Sequence, residues 1–87
     1  MHRLRLLQAA IEDLERQDRS VGARIVKRLQ WLAQNFDSIR PEPLTGNLTG
    51  FFKFRVGDYR VIYEILAEER EIVVHAIGHR RDIYRPR

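Results

Sequence analysis

Two arginines, Arg55 and Arg60, flank the dipeptide Gly57-Asp58, and the residues around them alternate between apolar and polar side chains. A Gly-Asp pair between alternating runs selects a two-residue hairpin loop with a primed turn, which fixes the strand register. That register predicts Val56 opposite Tyr59, Arg55 opposite Arg60, Phe54 opposite Val61, Lys53 opposite Ile62 and Phe52 opposite Tyr63. One face of the hairpin is then apolar, with Phe52, Phe54, Val56, Tyr59, Val61 and Tyr63, and the other carries Lys53, Arg55 and Arg60. Like charges directly opposite each other weaken a strand pair by some tenths to about 1 kcal/mol, so this face is expected to seek an anionic ligand. Glu64, further along the same face, either neutralises part of the patch or acts as a base. A plainer use of such cations is to keep an exposed sheet face soluble.

A second group of cations lies at the end of the chain. His79 to Arg87 holds four arginines against one acid, Asp82. A meander of three strands returns the end of the last one beside Arg60, so His79, Arg80, Arg81 and Tyr84 are expected to join the cationic cluster.

The elements that position these residues follow from periodicity. His2 to Leu7 alternates, with Leu4 and Leu6 on one side, and reads as a short strand. From Gln8 to about Gln17, Ala10, Ile11 and Leu14 recur at helical spacing, and Glu12, Asp13, Glu15 and Arg16 fall opposite. Ser20 is placed to cap a second helix with a stripe of Val21, Ile25, Leu29, Leu32 and Phe36. Trp31 falls outside that stripe and is expected either to pack partly against the following loop or to meet a partner. Pro41 and Pro43 end the helical pattern, and Thr45 to Gly50 reads as a loop. Phe51 to Val56, Tyr59 to Leu66 and Ile72 to Gly78 are rich in branched and aromatic residues and read as strands. The expected fold is α+β in the order β-α-α-β-β-β. Its N-terminal helical hairpin packs on one face of a small twisted, mainly antiparallel sheet, and the other face is left for function.

Composition sets the bounds. At 87 residues with 44% hydrophobic side chains, residues 1–87 are expected to form a single domain around one core. The absence of cysteine excludes disulfides and thiolate metal sites. A net charge of +4 favours nucleic acid, acidic proteins or anionic lipid as partners. No signal-peptide pattern and no run approaching ~20 apolar residues is found, so a cytoplasmic protein without membrane contact is expected.

Three segments together resemble the RelE/ParE toxins: Leu44-Thr45-Gly46-Asn47-Leu48, Phe54-Arg55-Val56-Gly57-Asp58-Tyr59-Arg60-Val61-Ile62-Tyr63, and Gly78-His79-Arg80-Arg81-Asp82-Ile83-Tyr84. Ala10, Asp13 and Leu14 ahead of the hairpin fit as well. The resemblance spans nearly the whole chain and implies a RelE-like fold. It also implies a toxin of a type II toxin–antitoxin system, an endoribonuclease that cleaves messenger RNA in the A site of the 70S ribosome. The implied chemistry is attack of the ribose 2′-oxygen on the adjacent phosphate, with no metal and no cofactor. Arg60 and Arg80 match arginines at the scissile phosphate, and Tyr84 matches a tyrosine near the reacting ribose and leaving group. Lys53 matches a basic strand residue, and with Arg55 and Arg81 it is expected to bind RNA phosphate. His79 stands where some relatives have lysine; imidazole exchanges protons near neutral pH, which makes it a candidate general acid or base, or else a surface histidine with one hydrogen bond. His75, inside the apolar run Val73 to Ile77, reads as a satisfied sheet histidine, and His2 is given no role. Phe51 departs from the pattern, because some relatives carry a second strand lysine there.

The implied partner is a cognate RelB-like antitoxin, acidic and partly disordered, in a toxin–antitoxin hetero-oligomer. Two other functions remain open: a ParE-like inhibitor of DNA gyrase, against which Arg80 and Tyr84 argue, and a nucleic-acid-binding or interaction module without catalysis.

Overall fold

The computed structural model of the chain describes residues 1–84; Arg85 and Arg87 of the cationic segment lie outside them. Strand β1 (Arg3–Leu6) leads into helix α1 (Gln8–Glu15) and helix α2 (Arg19–Asn35). Strands β2 (Glu42–Pro43), β3 (Phe52–Val56), β4 (Tyr59–Leu66) and β5 (Glu71–His79) follow. They form one sheet in the order β1-β5-β4-β3-β2. β1 runs parallel to β5, from Arg3 opposite Glu71 to Leu6 opposite Val74, and the remaining pairs are antiparallel. The α+β class and the element order hold, with the short edge strand β2 added where Pro41 and Pro43 had read only as a break. Pro43 is tolerated there because an edge strand leaves one row of backbone groups unpaired in any case.

The second helix begins one residue before Ser20. Its first backbone bond runs from the Gly22 N–H to the Asp18 carbonyl at 2.8 Å, so Asp18 is the N-cap and Ser20 lies inside the first turn. The stripe of Ile25, Leu29 and Leu32 is buried as expected, and Phe36 continues it from a 3-10 turn over Phe36–Ser38. These side chains meet Val56, Val61, Tyr63, Ile72, Val74 and Ile77 in one core. Each fully buried aliphatic side chain contributes about 1.5–3 kcal/mol relative to exposure.

The first helix is rotated relative to its expected phase. Asp13 is 1% exposed and Ile11 is 36% exposed, the reverse of the amphipathic reading. The cause lies in the sheet. β1 stops at Leu6, opposite Val74, so beyond that point β5 has no strand on that side. The Asp13 carboxylate takes the strand's place: its Oδ2 accepts the Ile77 N–H at 2.9 Å, and its Oδ1 accepts a hydrogen bond from Arg16. A buried backbone donor is thereby satisfied by a helix side chain. His2 is also not incidental. It is 8% exposed and its ring packs on Phe36, with centroids 4.6 Å apart.

β5 carries a bulge. Ile62 pairs with Ala76 but Tyr63 with Val74, which leaves His75 as the extra residue. The core therefore takes Ile72 and Val74 before the bulge and Ile77 after it, a change of parity that strict alternation cannot produce. Both His75 and Ala76 are kept off the core side.

Tyr63 sits at the centre of the core and is 1% exposed. Burial, with a smaller contribution from the Glu42 carboxylate, pushes its phenol up to about 12. A raised acid constant in the folded state gives stability that is whole below the unfolded value of about 10 and is lost as pH rises toward the folded one. Urea midpoints measured from pH 9 to 12 are expected to fall more steeply for the wild type than for Tyr63→Phe, which has no proton to lose.

Candidate active site

The hairpin register is the one the turn dictates, residue for residue. Gly57 has φ 58°, and Asp58 stays out of the left-handed region, the signature of a type II′ turn with glycine first. Lys53, Arg55 and Arg60 accordingly share the sheet face turned away from the helices. The opposition of Arg55 and Arg60 is relieved within the chain, by Glu42 and the turn carbonyls. Arg55 Nη2 reaches Glu42 Oε2 at 3.2 Å, across the β2 edge. Arg60 folds toward the turn, where its Nη1 donates to the carbonyls of Gly57 at 2.8 Å and Tyr59 at 2.9 Å. The two guanidinium groups are thus drawn apart and held, which presents a defined cationic strip with Lys53 in the adjoining row.

The end of β5 completes the strip. Gly78 lies directly opposite Arg60, and Arg80 is anchored to the hairpin turn by its N–H to the Asp58 carbonyl at 2.8 Å. The Arg80 Nε stands 3.8 Å from Asp58 Oδ1. The chain then reverses: the N–H groups of Asp82 and Ile83 both donate to the His79 carbonyl, at 2.9 and 3.0 Å. Ile83 folds over Gly78 so closely that a Cβ there would stand 3.1 Å from its Cδ1. Since Gly78 shares its face with Arg60, the turn carrying Arg80 and Tyr84 is laid onto the cationic side, with Tyr84 47% exposed. A branched side chain at position 78 should lift this turn. Gly78→Val is expected to speed hydrogen exchange at the Asp82 and Ile83 amides by on the order of tenfold while core amides stay protected.

His79 is not brought to that side. It pairs with Tyr59, whose side chain lies on the helix side of the sheet, and its ring stands edge-on to the Tyr59 ring at 5.5 Å. His79 Nδ1 accepts the Arg81 N–H at 3.2 Å. Both residues line a cleft of about 490 Å³ with Asp13, Arg16 and Asp82, at the end of α1. The residues singled out in the sequence therefore divide into Lys53, Arg55 and Arg60 on one side, with Arg80 and Tyr84 on the turn that Ile83 lays over Gly78, and His79 with Arg81 lining the cleft around the corner.

The face also holds residues that sequence reasoning passed over. Glu42 is one; its only signal was a charged residue between two prolines. Phe51 and His75 lie on it too, with ring centroids 4.9 Å apart and planes at 83°, and His75 Nε2 is 2.7 Å from Glu64 Oε1, which makes it the satisfied sheet histidine the sequence predicts. Trp31, 38% exposed, stacks nearly parallel to Phe54, at 6.4 Å and 11°, and lines a hollow with Ile39 and Pro41 of the loop after its helix. The Arg28 guanidinium lies 4.5 Å from the Trp31 ring centre and 5.5 Å from that of Phe54.

A family model described as the ParE toxin of the type II toxin–antitoxin system parDE matches residues 4–84. The chain belongs to the RelE/ParE toxin superfamily. Toxin RelG of Mycobacterium tuberculosis (strain ATCC 25618 / H37Rv) is 43% identical over 44 residues, 51% of each chain, so the match spans about half of that relative. Among solved structures, the RelBE2 toxin–antitoxin complex of M. tuberculosis contains a chain similar at TM-score 0.82 and 26% identity, over 90% of this chain and 96% of that one. The isolated RelE toxin of E. coli shares the fold at TM-score 0.74 and 18% identity, over 91% and 84%. In this RelE/ParE toxin the cationic strip and the C-terminal turn both fall within the matched residues. Among the described residues, no helix is long and apolar enough to cross a membrane.

Proposed function

We propose that this RelE/ParE toxin is a ribosome-dependent endoribonuclease that cuts messenger RNA in the A site and so arrests translation. The observation that carries this reading is the juxtaposition of Arg60 with Gly78, over which Ile83 folds the turn bearing Arg80 and Tyr84. A phosphate held between Arg60 and Arg80 would have Tyr84 on the same side. Attack by the 2′-oxygen on that phosphate forms a P–O bond and breaks the bond to the 5′-oxygen, leaving a cyclic phosphate and a 5′-hydroxyl. Guanidinium groups already held in place stabilise the charge that builds on the phosphoryl oxygens more than they stabilise the ground state. Lys53 and Arg55 extend the cationic track for the flanking strand, and Tyr84 supplies a proton to the leaving oxygen or stacks on a base. Arg81 and His79, around the corner, are assigned to contacts with the RNA or its surroundings ahead of the reacting phosphate. The partner in the resting cell is a RelB-like antitoxin, by analogy with the toxin–antitoxin complexes of similar fold.

Inducing the chain and mapping transcript 5′ ends tests this. New ends within ribosome-bound coding sequence are expected, and they should disappear with Tyr84→Ala; retention in Tyr84→Phe would assign the ring to stacking. The family model names ParE, which favours one rival: intact transcripts together with trapped gyrase–DNA cleavage complexes would establish gyrase inhibition instead. If neither breaks nor trapped complexes arise, the strip serves binding alone.

A further inference from the structure

Both arginines of the proposed reacting centre hang from the carbonyls of one turn. Gly57 and Tyr59 accept from the Arg60 guanidinium at 2.8 and 2.9 Å, and the Asp58 carbonyl between them accepts the Arg80 N–H at 2.8 Å. The Arg80 Nε stands 3.8 Å from the Asp58 carboxylate as well. Where this turn sits therefore decides where the two guanidinium groups point. Gly57 and Asp58 are both exposed, at the tip of a hairpin, and such tips open at little cost unless something packs on them.

What packs on this one comes from helix α2. Arg24 is exposed on that helix, next to Ile25, which is fully buried in the core. Its side chain reaches the hairpin so closely that a Cβ built on Gly57 would stand 3.3 Å from Arg24 Nη2 and 3.7 Å from its Cζ. The guanidinium thus takes the space that a side chain at position 57 would fill. Gly57 answers two demands at once: its φ of 58° makes the turn, and its bare Cα admits the cation. Arginine suits the contact, because its methylene stem lies along the protein surface while a flat, weakly hydrated head packs against the backbone. Arg24 meets Gly57 from the α2 side, and Arg60 donates to the carbonyl of that same residue.

We propose that Arg24 is a positioning residue for the cleavage reaction, bracing the Gly57-Asp58 turn and thereby fixing the Arg60 and Arg80 guanidinium groups relative to each other. The effect on cleavage rests on the ribonuclease reading above; the brace itself does not. Arg24 acts through the turn and makes no contact with the reacting phosphate. Misplacing reacting groups by about 1 Å costs on the order of 10²-fold in rate, so partial loosening of the turn slows the chemical step while Lys53 and Arg55 still hold the RNA. A residue that bound RNA phosphate directly would do the reverse, weakening binding and leaving the step itself alone.

Arg24→Ala and Arg24→Lys are compared with wild type in two measurements. The first is hydrogen exchange at the Arg80 amide, whose bond to the Asp58 carbonyl reports on the turn, with the Ile25 and Leu29 amides as a control on helix α2. Arg24→Ala is expected to speed exchange at Arg80 by on the order of tenfold while the two helix amides stay protected. The second is cleavage of ribosome-bound transcripts in a purified translation system, read as kcat and KM. Arg24→Ala should lower kcat by about tenfold with KM within about twofold of wild type. Arg24→Lys should recover less than about half of the wild-type kcat, because an ammonium keeps the charge without the flat head. Identical Arg80 exchange in wild type and Arg24→Ala overturns the proposal whether or not RNA is cut. A raised KM with unchanged kcat overturns it too, making Arg24 a contact for RNA or ribosome, and full activity in Arg24→Lys would reduce its role to charge. If the wild type cuts no transcript, the ribonuclease reading fails alone, and faster Arg80 exchange in Arg24→Ala still establishes the brace.

Discussion

Replacing Arg60 by alanine is expected to lower transcript cleavage by about 10²–10³-fold, the usual cost of removing one preorganised donor from a site where negative charge develops. The same change should leave stability nearly untouched. Arg60 is half-buried, and its bonds go to the carbonyls of Gly57 and Tyr59 at a turn open to solvent. Because Arg55 and Arg60 are already drawn apart, to Glu42 and to the turn carbonyls, removing the like charge opposite Arg55 adds little to stability in either direction. Few core mutations could imitate that combination of lost activity and kept folding. Arg60→Lys should fall between, because an ammonium keeps the charge without the planar fork that pairs with two phosphate oxygens. Cleavage by purified variants in a translation extract, with urea midpoints beside it, gives both readings. Wild-type cleavage in Arg60→Ala would remove Arg60 from the reacting centre.

Asp13→Ala is expected to do the opposite, lowering stability by about 2–3 kcal/mol without touching the cationic face. The carboxylate is buried and accepts the Ile77 N–H, which nothing else in β1 is long enough to reach. Leaving a buried donor unsatisfied costs about 1–3 kcal/mol, and the small cavity adds to it. Asp13→Asn retains a carbonyl acceptor and should recover about half of the loss. The decisive measurement is the shift of the urea midpoint, read together with exchange at the Ile77 amide, which should lose protection in Asp13→Ala ahead of the helix α2 amides. A midpoint unchanged in Asp13→Ala would show that β5 tolerates an open edge there.

These two residues also mark what the sequence disclosed and what it withheld. Arg60 was legible because a Gly-Asp turn fixes register, and register fixes faces; every pair from Phe52–Tyr63 to Val56–Tyr59 follows from that one dipeptide. Asp13 was not, since helical periodicity assigns a charged residue to solvent, and only the early end of β1 gives it a buried partner. The bulge at His75 escaped for a similar reason. An unbroken apolar run looks the same with or without an extra residue, so the corner with Phe51 and Glu64 was invisible. His79 is a different case. Proximity to Arg60 suggested a shared cluster, but His79 pairs with Tyr59, and that parity alone puts it on the helix side. Glu42 lay in a segment whose prolines masked a strand of two residues.

The parallel pairing of β1 with β5 has a consequence for how the molecule comes into being. Arg3 meets Glu71, so the first strand made waits for the last before either is paired. Closing so long a loop is slow, and during synthesis from the N-terminus it must wait until β5 has emerged. The turn bearing Arg80 and Tyr84 is made later still. Until β5 has formed, a nascent chain of this kind has neither a finished sheet nor a complete set of cations. The order of synthesis thus makes the cationic face one of the last parts of this domain to be assembled.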